Sequence, residues 1–141
     1  MNAQLRLQLV AKVKKQESED PNNPAIVSLE DFFNGNDDEG SIGCNTDNSG
    51  PQFFREPLFA IRAKPEVQDV FIEITDLMEE DENSWPFSDY VYVLTSAPIE
   101  EVSDWLVGLN PDSVEKGWSD SVPSIAPKLA TGIEVYLAWW D

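Results

Sequence analysis

Between Pro51 and Pro65 the apolar side chains Phe54, Leu58 and Ile61 recur at three- and four-residue intervals. Immediately afterwards Val70, Ile72 and Ile74 recur at every second position, with Phe71, Glu73 and Thr75 between them. The first spacing gathers side chains on one face of a helix and the second sorts them to opposite faces of a strand. The pattern therefore predicts a helix over 51–64 followed by a strand over 67–77. Pro51 suits the first helical turn, where its missing N–H has no partner to lose. Pro57 falls inside the run and predicts a late start or a kink. Residues 90–95 read as a second strand, rich in aromatic and β-branched side chains. A helix follows, with a cap at Ser96 or its neighbour, Pro98 in its first turn, Glu100 and Glu101 at its positive end, and Val102, Trp105 and Leu106 facing inward. Gly108 ends it. Residues 110–129, with prolines at 111, 123 and 127, read as irregular, and 133–140 as a last strand.

Ahead of these elements the pattern is ambiguous. In residues 3–16, Leu5, Leu7, Leu9, Ala11 and Val13 alternate as in a strand, while a helix gathers Leu5, Leu9, Val10 and Val13 and strands Leu7 on the far side. Intrinsic propensity favours the helix. Residues 17–24 have the composition of a linker, Ser28 can cap a short turn closed by Asp31, and 34–50 is a long loop of Gly, Asn, Asp, Ser and Thr. The resulting order, strand, helix, strand, strand, helix, strand, is that of a ferredoxin-like α+β sandwich with two helices on one face of an antiparallel sheet, preceded by an N-terminal extension. The expected organisation is a basic arm or helix over 1–20 and a single acidic domain over 25–141.

Charge narrows the function classes. The chain has 27 acidic side chains, nine basic ones and no histidine, for a net charge of -18. Residues 1–20 hold four bases (Arg6, Lys12, Lys14, Lys15) against three acids, so the remainder carries 24 acids against five bases, an excess of nineteen. Such a field repels nucleic acid and anionic membrane surfaces and attracts cationic partners. The missing imidazoles remove the commonest general base and metal ligand. The lone Cys44 cannot form an internal disulfide, and its acidic neighbourhood disfavours a reactive thiolate, so a buried structural thiol in a cytoplasmic protein is expected. Neither a secretory leader nor a membrane-spanning run is evident in the sequence.

The 34–50 loop fits neither of two ligand-binding motifs. Placing Gly40 at the glycine position of a calcium-binding EF-hand loop puts Gly35 first and Thr46 last, where acidic ligands are required. Gly35, Gly40 and Gly43 are not followed by the Lys-Ser/Thr of a phosphate loop. No cofactor, metal site or catalytic residue is expected. Trp105 and one of Trp139 and Trp140 are expected in the core, because neighbours along a strand face opposite ways, leaving the other outside.

Three blocks carry a resemblance: residues 28–45 (SLEDFFNGNDDEGSIGCN), Trp85-Pro86-Phe87-Ser88-Asp89, and the terminal Trp139-Trp140-Asp141. They resemble a family of small acidic bacterial proteins of uncharacterised function, over a stretch from about Ile26 to the end. That resemblance implies no activity and carries over no functional residue. The reading from the residues is a non-catalytic interaction module, of an immunity- or antitoxin-like kind, that binds a basic protein. Glu79, Glu80, Asp81 and Glu82 are the expected surface contacts, with Trp85 and Trp118 as aromatic anchors. A mimic of nucleic acid that inhibits a DNA-binding protein, and a cation-dependent module using the 34–50 loop, are the alternatives.

Overall fold

The computed structural model describes residues 1–141. The helices are α1 (Ala3–Glu19), α2 (Leu29–Phe33), α3 (Pro51–Arg62) and α4 (Ile99–Leu106), the last extended by a 3-10 turn at Val107–Leu109. The strands are β1 (Ile26–Ser28), β2 (Val67–Glu73), β3 (Tyr90–Thr95), β4 (Ser113–Lys116) and β5 (Glu134–Trp139).

Helix wins over strand at the N-terminus because Arg6, Leu9, Val10 and Val13 bury one face, while Leu7 stays 63% exposed. The helix takes in Glu17–Glu19, which composition had suggested as linker. Leu9 and Val13 belong to the main core, so the basic helix packs on it. Ser28 caps α2 as expected, its Oγ accepting the Asp31 N–H at 3.1 Å. In α3 the helix begins at Pro51 and continues through Pro57. The cap expected at Ser96 or its neighbour does not form: Pro98 occupies the N-cap of α4 and offers no side-chain acceptor.

All strand pairs are antiparallel, in the order β1-β2-β3-β5-β4. The α+β class is as expected, but the sheet has five strands, since the segment read as irregular contributes β4. The ferredoxin-like order is also corrected. That arrangement splits the strands flanking its first helix, whereas here β1 and β2, on either side of α2 and α3, are direct partners.

Register gives each face of the sheet its role. Val27, Ile72, Val91 and Ala138 lie opposite one another and pack with Phe32, Phe54, Leu58, Val102 and Leu106 into the main core under the helices. Ile26, Tyr92, Leu94, Val135 and Leu137 form a second, smaller apolar cluster on the other face. Trp118, Ala126 and Ile133, from the connection between β4 and β5, pack against this cluster as a strap. No helix is long and apolar enough to cross a membrane.

The two sheet edges end differently. At β1 the outward backbone groups of Ile26 are both taken by one side chain of α1: Gln16 Nε2 donates to the Ile26 carbonyl at 2.8 Å, and Gln16 Oε1 accepts the Ile26 N–H at 3.1 Å. This closes an edge that would otherwise offer free hydrogen-bonding groups. No corresponding side chain covers β4.

Candidate functional site

The acidic run chosen from the sequence proves to be half of an internal clamp. Glu79, Glu80, Asp81 and Glu82 are exposed, yet the turn that carries them is gripped by Arg6, which is only 4% exposed. Arg6 Nε donates to the Ser84 carbonyl at 2.6 Å, and its Nη2 donates to the carbonyls of Met78 and Asp81 at 2.6 and 2.8 Å. Met78 is held at φ +53°, a left-handed conformation rare outside glycine. Lys14 pairs with Glu79 at 2.6 Å, and the Asp81 carboxylate accepts from Ser84 Oγ and the Asn83 N–H. The basic helix thus spends part of its charge on this turn.

Trp85 is not a surface anchor: it is 1% exposed, a member of the main core, with its indole N–H unpaired. Its burial follows from the 34–50 loop, because Asp38 Oδ2 accepts the Trp85 N–H at 2.9 Å and the Ser41 carbonyl accepts the Ser88 N–H at 2.8 Å. The other Asp38 oxygen accepts from Gly40, and Asn36 donates to Ser41 Oγ. The loop's polar side chains therefore knit it to the 85–88 segment, and no three acidic or thiol side chains converge to hold a metal ion. Gly43 shows why a glycine stands in this loop. Its φ is +61°, and a Cβ there would fall 2.4 Å from the ring of Phe54. Cys44, expected to be buried, is exposed at the loop surface.

Uncompensated charge gathers instead on the strap side of the sheet. Register aligns Glu73, Tyr90 and Trp139 in one row, and Phe71, Tyr92, Leu137 and Glu115 in the next. Glu73 is 3% exposed, without a cation. Its Oε1 accepts the Tyr92 hydroxyl at 2.5 Å and the Ser119 hydroxyl at 2.8 Å, while the Ser119 N–H donates to the Tyr92 oxygen at 3.1 Å. Burial holds the Glu73 carboxyl above the usual carboxylate range despite these donors, and the charges of Asp89 and Asp120 push the same way. Desolvation also raises Asp89, reinforced by Asp141. Tyr90 is raised by desolvation and by Asp89, Glu73 and Glu115. One Asp89 oxygen is buried with no partner.

Trp118 packs on this patch, its ring 4.6 Å from that of Tyr92 and inclined at 50°. Trp118, Tyr90 and Trp139 are each half-buried, and Glu115 and Asp120 are exposed. Trp140 is the core ring of the C-terminal pair, 2% exposed, its Nε1 donating to the Leu109 carbonyl at 2.8 Å. Of the residues chosen from sequence, only Trp118 lies at this patch. Glu73, Tyr90, Tyr92, Glu115 and Ser119 were missed, because only strand register brings them together. The one local signal was an acid, Glu73, inside a strand otherwise apolar around it.

Across the molecule only five acidic side chains have a cation partner: Asp37, Asp31, Glu79, Glu30 and Glu134. Fold and charge together define a small, strongly acidic α+β protein in which half-buried aromatic rings and the exposed acids Glu115 and Asp120 border the strap side of the sheet. The chain belongs to the family described as Uncharacterized protein YfbO family, which it matches over residues 4–138. It is similar to Uncharacterized protein YfbO of Escherichia coli (strain K12), at 38% identity over 128 residues, covering 86% of this chain and 89% of that protein. The family match begins inside α1, so it takes in the docked basic helix as well as the stretch from Ile26. No solved structure matches the chain.

Proposed function

We propose that this protein is a non-catalytic interaction module that binds a basic protein through the strap side of its sheet. The observation that carries this reading is the coincidence, on one face, of exposed acids without counter-ions (Glu115 and Asp120) with the half-buried rings of Tyr90, Trp118 and Trp139. Carboxylates steer a cationic partner and speed its encounter, while aromatic rings supply area and cation–π contacts once it has arrived. The 79–82 run contributes to the long-range field, but its backbone and Glu79 are already engaged by α1.

Titration of the chain with a blocked oligolysine peptide at low and physiological salt, followed by tryptophan fluorescence, tests the reading. Binding is expected to weaken as salt rises. It is also expected to weaken more in Glu115→Gln/Asp120→Asn than in Glu80→Gln/Glu82→Gln, although both doubles remove the same charge. Equal losses would mean that the peptide senses only net charge and would overturn the assignment to this face. Absence of binding at low salt would overturn the interaction reading itself.

A further inference from the structure

The unguarded edge of the sheet narrows what kind of partner fits. Gly117 N–H donates to the Val135 carbonyl at 2.8 Å in the register that pairs Glu115 with Leu137. In an antiparallel ladder, inward and outward groups alternate. Glu115 and Gly117 therefore face β5, and the N–H and C=O groups of Val114 and Lys116 point away from the sheet. The same parity at the opposite edge points Ile26 outward, where Gln16 satisfies both its groups. At β4 neither a side chain nor a backbone segment plays that part.

Beside this edge lies a hollow of about 230 Å³, lined by Ser103, Val107, Asn110, Pro111, Ser113 and Val114. Val107 is 72% exposed and Val114 half-buried, so the hollow has an apolar floor with nothing packed on it. Glu100 and Asp104 lie one helical turn before Ser103 and Val107, and Glu115 projects from β4 to the other face of the sheet. The cation on the strand, Lys116, is paired with Glu134 at 3.4 Å.

Resting on the basic-partner reading above, we infer that the partner binds by strand addition, laying an extended segment against β4. Main-chain hydrogen bonds to Val114 and Lys116 would hold it. Its side chains would alternate between apolar groups over Val107 and Val114 and basic groups beside Glu115 and Trp139. Charge selects the occupant. A second copy of the chain would bring another net charge of -18 to an edge flanked by acids, whereas a basic segment relieves that repulsion.

The test uses the full chain and a short, end-blocked peptide alternating lysine and valine, compared with the same peptide N-methylated at alternate backbone positions. Strand addition predicts NMR shifts and slowed hydrogen exchange at the Val114 and Lys116 amides. It also predicts about a tenfold or greater loss of affinity on N-methylation, the scale of one or two lost main-chain hydrogen bonds. Val114→Pro should cause a similar loss without unfolding, because this N–H takes no part in the β4–β5 ladder and proline is tolerated on edge strands. If the proline variant does not fold, the N-methylated peptide decides. Equal affinity for both peptides, with shifts at Tyr90 and Ser119 but none at Val114 and Lys116, would overturn strand addition and leave the basic-partner reading standing. Failure of both peptides to bind at low salt would overturn both. Self-association of the chain that protects those two amides would make a second copy the occupant and would also overturn the proposal.

Discussion

Replacing Arg6 by Met should loosen α1 from the domain more than any other single change at the N-terminus. Methionine keeps most of the aliphatic stem but removes three charge-assisted hydrogen bonds, of 2.6, 2.6 and 2.8 Å, to the carbonyls of Ser84, Met78 and Asp81. Bonds to a charged group are worth about 1.5–3 kcal/mol each. Against that gross sum, the buried guanidinium no longer bears its desolvation cost, and water can reach the carbonyls because Asp81 and its neighbours are exposed. A net loss of about 3 kcal/mol remains, roughly 9 °C in Tm for a chain of this size. Urea unfolding of both proteins measures the free energy, and hydrogen exchange reports where it is lost. Protection should fall first in α1 and in residues 78–84, since the helix retains only Leu9, Val10 and Val13 as deeply buried apolar contacts. Arg6→Lys should recover only part of the loss, because an ammonium cannot reproduce the planar reach to three acceptors. A destabilisation below about 1 kcal/mol, with unchanged exchange in α1, would refute the clamp.

Two buried or paired acids should respond to pH with opposite sign. Folded Glu73 holds its proton to higher pH than unfolded Glu73, so it costs stability as pH rises from the ordinary carboxylate value through its raised folded value, and costs nothing below that window. Glu73→Gln should therefore gain on the wild type as pH rises above the ordinary carboxylate value in denaturant titrations; a variant that loses ground as pH rises would sink the assignment. Glu30, hydrogen-bonded by Arg62 and drawn down to about 2, behaves the other way: its contribution is present above the ordinary value and lost as pH falls towards 2. Because the pair is partly solvent-exposed, Glu30→Gln should cost under about 1 kcal/mol at neutral pH, and that cost should shrink as pH falls below the ordinary carboxylate value and through about 2, as followed by thermal melts. Gly43→Ala should cost about 2–4 kcal/mol, combining a left-handed backbone with a clash against the fully buried Phe54 ring. Gly40→Ala, where a Cβ meets only an Asp38 oxygen at 3.5 Å, serves as the near-neutral control in the same melts.

Much of the local structure was legible because it follows from spacing alone. Phe54, Leu58 and Ile61 define the inner face of α3, Val70 and Ile72 the inner face of β2, and Ser28 the cap of α2, each from residues within a turn or two of one another. Alternation along β5 also separated Trp140 from Trp139 correctly. The misreadings share one cause. Trp85 looked like a loop anchor because it lies between turn residues, yet Asp38, 47 positions away, draws its backbone into the core. The strand β4 was hidden in a proline-rich segment, since four residues with only Val114 apolar carry no periodicity until β5 pairs with them.

The sequence alone determined the size of the negative charge, the absence of imidazole chemistry and most element positions, because these depend on composition or on neighbours close along the chain. Tertiary structure decided where that charge is free to act. Ion pairs and main-chain clamps join residues far apart in sequence, such as Arg6 with Met78 and Ser84. The face that gathers Glu73, Tyr90, Trp118 and Trp139 exists only once strand register has set four separate segments side by side.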